Sequence, residues 1–519
     1  MPPDLLTVES LLRRGYFPRE LPPPFTTGGF ADLADGDRSA LPGGGRTTQC
    51  VRYNLARLDG GRRPIQIPNP WSFLRLAEEC EACWPSLKKR FDGHTFSMSR
   101  PVAEPGLERA VQPHYRLGEW NRLRPADWRG RRFILRTDIS QFYASLYTHA
   151  IPWALEGKVA AKSNRGRTPS DSLDRALRNA TDGQTMGVPI GPDTSFLAAE
   201  IVLTAVDEAL EAKMPLRGHR YIDDYELAFR ARSEAEEAQA LIEDVLATYE
   251  LAINPNKTEI LELPQPFHVA WTHELQTFQI RAESSKRMIN DLLALFSRAA
   301  EMSSSRSGPL KYALLRSRDV QVDDEDGWSA LQNLVWSAVS AEPTTMPTAL
   351  DLLVEKSTEC EIEVDRDAAA EAIEALIKAH SPIRNASEVA WGVWAAIKLG
   401  VPLSAEAGDS VSAMEDDCVA LLALDAESRA IFGGEEVDKA RWEGLTDYDG
   451  VLEGPHWLLA YEGSSRGWLE GARRRVEADP FFKVLGDRGV SFYDQDPHPD
   501  PFTGPAGPLP GGLVPDDYV

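Results

Sequence analysis

The sequence predicts an α+β protein whose first part mixes strands with helices and whose second part is helical throughout. Between about 50 and 280, short runs rich in β-branched and aromatic residues alternate with longer apolar-periodic segments; beyond the polar stretch 302–309 the strand signal fades and helix-length segments follow one another between short polar loops. Charge divides the same way. Of a formal net charge of −24, residues 301–519 hold 41 acidic and 18 basic side chains, so the first 300 residues are close to neutral. A chain of 519 residues exceeds what one hydrophobic core usually organises. The expected divisions are an irregular arm (1–46), a mixed domain (47–280), an acidic α-helical domain (281–493) and a Pro/Gly/Asp-rich tail (494–519).

Each element follows from local pattern. Pro22-Pro23-Pro24 and Gly43-Gly44-Gly45 punctuate the arm and predict irregular structure there. Phe133 to Ile139 reads as a strand ending at Asp138, Thr194 to Ala212 as an apolar helix, 219–229 as a β-hairpin, Ser233 to Glu250 as a helix, and Ile260 to Leu263 as the start of another strand. Helices are expected at 286–300, 328–340, 347–357, 366–379, 387–399 and 410–424, with Ser387 as an N-cap and Gly400 just past a C-terminus. No fixed-period repeat accompanies them, so a bundle or an irregular solenoid is expected.

Composition removes several classes. Five scattered cysteines make no disulfide framework, and Cys80-Glu-Ala-Cys83 has no second CxxC or CxxH to complete a zinc site. No run approaches the roughly 18 apolar residues of a membrane helix, and the start lacks a basic segment followed by an apolar one. The expectation is a soluble cytoplasmic protein with no membrane partner. Residues 100–136 carry nine arginines against four acids, interleaved with Tyr115, Trp120 and Trp128, as a phosphate-tracking surface or a solvated helix face would. Trp391, Trp394, Trp457, Tyr461 and Trp468 are read as packing residues of the helical half.

The chemistry centres on Tyr221-Ile222-Asp223-Asp224 in the hairpin turn. Asp-Asp also occurs at 323–324, 416–417 and 516–517, so the pair alone is uninformative. Its distinction is Asp138, which ends a strand 85 residues upstream. Nucleotidyl transfer by two metal ions needs carboxylates from separate strands, because one ion activates a 3′-hydroxyl while both stabilise the transferring phosphate. Magnesium takes oxygen ligands and keeps some water, so two or three carboxylates suffice.

In these residues the chain resembles the reverse transcriptase family. Thr137-Asp138-Ile139-Ser140-Gln141-Phe142-Tyr143 is similar to the first catalytic motif, Gly183 to Gly191 to the template and nucleotide motif, and Tyr221 to Asp224 to Tyr-x-Asp-Asp. Leu251 to Thr258 resembles the next palm motif and Arg63 to Pro68 the fingers segment, giving five motifs in the family's order over about 200 residues. Ile67 to Pro70, Ser97 to Pro101, Ser145 to Trp153 and Asp182 to Thr185 are closest in wording to the abortive-infection, defence-associated bacterial branch. Ile190 departs from the family, which usually has Gln there. The resemblance implies right-hand palm and fingers followed by the helical domain in place of the usual thumb and ribonuclease H.

It also implies an RNA-directed DNA polymerase using magnesium, or manganese in its place, in antiphage defence. Asp138, Asp223 and Asp224 would be catalytic metal ligands, with the Ile139 carbonyl as a further one, and Lys257 would serve the pyrophosphate leaving group. Tyr143 falls at the gate against a ribose 2′-hydroxyl; Gly187, Pro189 and Gly191 would shape the nucleotide and template turn. Arg62 and Arg63 would grip the triphosphate, and Arg100 and Arg109 a nucleic-acid backbone. Expected partners are dNTPs, an RNA template or nascent DNA, and a second copy, protein or RNA on the helical domain. RNA-templated and template-independent synthesis, and priming from a protein hydroxyl, all stay open; so does a silent nucleic-acid-binding scaffold derived from a polymerase palm.

Overall fold

The computed structural model describes residues 5–497 apart from 34–37, 39–40, 43–44, 58–60, 164–165, 167, 268–269, 282–283, 304–307, 323 and 435. The described strands all precede residue 263 and helices dominate thereafter, as the α+β reading requires. β1 (Val51–Ala56) and β2 (Arg62–Ile67) form one hairpin, and β3 (Pro101–Val102) and β4 (Gln112–Pro113) a shorter one. β5 (Phe133–Asp138), β6 (Gly218–Tyr221), β7 (Asp224–Phe229) and β8 (Glu259–Glu262) make an antiparallel sheet ordered β6-β7-β5-β8. Strand β5 is central, and Ile134 and Leu135 are fully buried in it. The helix Arg232–Thr248 packs on β5, β7 and β8 through Ala235, Ala238, Ile242, Val245 and Leu246.

The N-terminal arm differs from its expectation. Val8–Arg14 is a helix closed by a Thr7/Ser10 capping box, and Leu11, Leu12, Tyr16 and Phe30 are fully buried. The Tyr16 ring stacks on Phe73 at 4.0 Å and its hydroxyl donates to the Pro68 carbonyl at 2.6 Å. The prolines bend the segment; its apolar side chains decide that it folds against the body.

In the helical half, Ser285–Ser303, Glu325–Ala341, Met346–Cys360, Arg366–His380 and Ala386–Leu399 lie where periodicity put them. The span 410–424 does not: it breaks into Ala405–Ser412 and Asp417–Ser428, because Asp416 caps the second helix by accepting from the Cys418 and Val419 amides. Ser387 lies inside its helix, after the cap at Asn385, and accepts instead from the Ala56 amide of β1. Gly400 ends that helix at φ 62°. One hydrophobic core runs from Leu6 to Tyr493, so the helical half and the strand-bearing half are packed together. Among the described residues no helix is long and apolar enough to cross a membrane. Most of the expected tail, and four residues of the polar stretch before Pro309, lie outside the described residues.

Candidate active site

Strand register brings the acidic residues together. Asp138 ends β5 directly opposite Asp224, which begins β7; Tyr221 closes β6 against Asp224, leaving Ile222 and Asp223 as the two-residue turn. The chain beyond β5 is tied to the segment after Arg232–Thr248. The Asn254 amide donates to the Asp138 carbonyl at 2.7 Å, the Ser140 amide to Ala252 at 2.9 Å, and the Ile139 amide to the Asp223 carbonyl at 3.3 Å. This delivers Lys257, whose Nζ lies 2.5 Å from Asp138 Oδ2.

The three carboxylates feel one another. Asp138 is buried and Asp223 half-buried; burial, then Asp224 and Asp138, push the Asp223 carboxyl up to about 7. Asp224 reaches solvent, yet the atoms crowding it and the charge of Asp138 push it up to about 6. The hydrogen bond to Asp138 holds Lys257 above its ordinary value. Such an all-oxygen, mutually repelling set suits a hard divalent cation. As the side chains stand, no three His, Cys, Asp or Glu among the described residues converge to hold an ion, and the Lys257 ammonium takes the Asp138 oxygen a cation would need.

Other expected residues fall near and far. Tyr143, on the short helix Phe142–Ser145 that follows Asp138, is half-buried; burial and then the Asp223 charge raise its phenol, and Arg63, exposed on β2, lies within its electrostatic reach. The turn through Pro189 is pinned on both sides. The Gly187 and Val188 amides donate to the Leu146 and Tyr143 carbonyls at 2.9 Å, and the Gln66 amide of β2 donates to Ile190 at 2.9 Å. A Cβ on Gly187 would lie 3.1 Å from the Ala144 carbonyl oxygen, and one on Gly191, at φ 131°, 2.5 Å from Pro18. Close approach by the protein's own chain thus accounts for both glycines.

Two arginines are engaged elsewhere. The Arg62 guanidinium binds both Glu388 oxygens, at 2.5 and 3.0 Å, together with Asn54, joining the β1–β2 hairpin to the helical half. Arg109 binds Asp193 at 2.6 Å and donates to the Phe17 and Gly191 carbonyls. Arg100 is half-buried, and its carbonyl accepts from the His114 amide. Cys80 and Cys83 are buried in the helix Pro70–Asp92, and the helical-half aromatics pack, Trp391 donating to the Glu20 carbonyl at 3.2 Å.

Comparison with solved structures finds distant likeness. The chain is similar to the telomerase of Candida albicans in complex with a TWJ fragment of telomeric RNA, at 10% identity over 69% of this chain and 65% of that one, with a TM-score of 0.31. The apo telomerase of Candida tropicalis is similar at 12% identity, over 76% of this chain and 70% of the other, with a TM-score of 0.32. Its complex with the TWJ fragment gives 11%, 77%, 68% and 0.30. No protein-family model matches the chain, and no curated protein matches it.

One group at the site escaped sequence reasoning. Arg220, Glu200 and Asp207 are all fully buried, with Arg220 2.9 Å from Glu200 and 2.7 Å from Asp207. Burial pushes Asp207 up to about 6 despite that partner. A signal existed: Glu200 and Asp207 sit seven residues apart, hence on one face, of the helix Asp193–Glu211, amid the largely apolar run Leu197 to Leu210. Buried charges of that kind require a cation.

Proposed function

We propose that this chain is a nucleotidyltransferase of reverse-transcriptase type that adds dNTPs to a nucleic-acid or protein primer. The observation that carries the reading is the pairing of Asp138 with Asp224 across β5 and β7, with Asp223 in the adjoining turn and its carboxyl pushed up to about 7 by burial and by the other two. Carboxylates gathered at a strand end are costly unless a cation joins them.

Asp138, Asp223 and Asp224 would hold magnesium or manganese once Asp138 exchanges its bond to Lys257. The ions, when bound, lower the pKa of the attacking hydroxyl and neutralise the transferring phosphate. Lys257, swung from Asp138, carries its positive charge toward the leaving group, where developing negative charge is stabilised by a preplaced cation. Tyr143 lies within electrostatic reach of Asp223, and its ring would limit what a sugar there can carry at the 2′ position. Arg63, exposed on β2, would meet a triphosphate.

A role in bacterial antiphage defence, and synthesis that is RNA-templated, untemplated or primed from a protein hydroxyl, belong to the proposal through the sequence resemblance. Ile190 and the helical half without the usual thumb favour the untemplated form. Engagement of Lys257 by Asp138 and of Arg62 by Glu388 favours a second reading, a silent nucleic-acid-binding scaffold.

The test incubates the purified chain and an Asp223→Ala/Asp224→Ala variant with each labelled dNTP or NTP and magnesium, with and without RNA, then treats products with nuclease and protease. The expected result is deoxynucleotide product from the wild type alone. Protease-sensitive mobility identifies protein priming. No product under any condition, with retained RNA binding, supports the scaffold.

A further inference from the structure

We propose that Ser99 and Arg220 are positioning residues that fix Asp223 by gripping the Ile222 peptide from both sides. The proposal rests on the polymerase reading of Asp138, Asp223 and Asp224. Ile222 holds φ at 50°, a left-handed conformation that β-branched residues avoid and keep only where surroundings enforce it. The enforcement is visible. The Ile222 amide donates to Ser99 Oγ at 2.7 Å, and its carbonyl accepts from Arg220 Nη1 at 2.9 Å.

Both gripping groups are themselves immobile. Every guanidinium N–H of Arg220 has an acceptor: Nε donates to Asp207, Nη1 to Glu200 and Ile222, Nη2 to Glu200 and Asp207. Ser99 Oγ donates to Glu200 Oε1 at 2.7 Å, and Tyr225 donates to Asp207 at 3.3 Å. The segment carrying Ser99 is bound to β6, the Arg220 amide donating to Phe96 and the Met98 amide to Arg220. Water has no access to the fully buried Arg220, Glu200 and Ser99, so the turn has no alternative partners there and Asp223 inherits its direction.

Ser97 supplies the control. It is equally buried and donates to the same Glu200, at 3.2 Å, but makes no bond to Ile222 in the structure. Ser99→Ala and Ser97→Ala each delete one buried hydroxyl from one network and should lose similar thermal stability. Manganese binding, followed by electron paramagnetic resonance without nucleotide, should weaken about 10-fold in Ser99→Ala and less than about 2-fold in Ser97→Ala. Hydrogen exchange should show the Ile222 amide protected in the wild type and Ser97→Ala and released in Ser99→Ala. Equal weakening in both variants, or an unprotected Ile222 amide in the wild type, overturns the positioning role. If exchange follows expectation while the wild type binds no manganese, the clamp stands and the polymerase reading falls.

Discussion

Replacing Lys257 with Met separates its two roles, because the thioether keeps the side chain's length and removes its charge. In the structure the ammonium is bonded to Asp138 and faces Asp223 and Asp224 electrostatically. It is an internal competitor for any divalent cation those carboxylates would bind. The ammonium's single charge about 5 Å from a divalent ion, at an effective dielectric between ~40 and ~80, contributes about 2–3 kcal/mol of repulsion. The Lys257 side chain is 59% exposed, so solvent screening favours the lower figure. Lys257→Met should therefore bind manganese about 15-fold more tightly, with the gain shrinking toward 1 M salt, where the Debye length falls to ~3 Å. The same variant should incorporate dNTPs about 10–100-fold more slowly, since the cation for the leaving group is gone. Calorimetric titration with manganese at low and high salt reads the first effect. Unchanged or weaker metal affinity would refute the reasoning, because it would mean that Asp138 is not part of the cation site.

Other outcomes follow from the packing. Gly191→Ala places a methyl against Pro18 in a left-handed backbone and should cost about 2–5 kcal/mol in urea unfolding; a cost under ~1 kcal/mol would show the turn free to move. A double-mutant cycle of Arg62→Ala and Glu388→Gln should give a coupling above ~1 kcal/mol, since Glu388 is only 5% exposed and the fork is bidentate; additivity would mean that the hairpin and helical half are not joined there. Burial first, then Asp417, pushes the capping carboxyl of Asp416 up to about 7 from 3.8. The native state then holds a proton that the unfolded chain releases, so this group's contribution to stability is fully present below about pH 4 and is lost as pH rises through about 7. Asp416→Asn keeps the cap and should flatten that slope, which thermal unfolding across pH measures; an unchanged slope would place the proton elsewhere.

What the sequence revealed tracks how local the physics is. The strand ending at Asp138 and the turn carrying Asp223 and Asp224 were legible because a strand's period and a tight turn are properties of a few neighbouring residues, whereas the register that sets Asp138 opposite Asp224 joins distant segments. Gly400 was legible for the same reason. The partners of Arg62 and Arg109 were not: Glu388 lies 326 residues away and Asp193 84, and an arginine looks alike whether it will meet a phosphate or a carboxylate. The N-terminal helix hid behind the proline and glycine density that follows it, although Leu11, Leu12 and Tyr16 carried its burial. The break at 413–416 hid because Asp416 reads equally as a surface residue and as a cap. Glu200 and Asp207 were the missed clue, two acids seven residues apart on the buried face of their helix.

The most direct measurement is the anomalous signal of manganese in crystals grown with a non-hydrolysable dNTP analogue. The expected result is an ion held by Asp138, Asp223 and Asp224, with Lys257 moved off Asp138 toward the phosphates. An ion absent from these carboxylates, with Lys257 still bonded to Asp138 in the presence of saturating manganese and nucleotide, would contradict it.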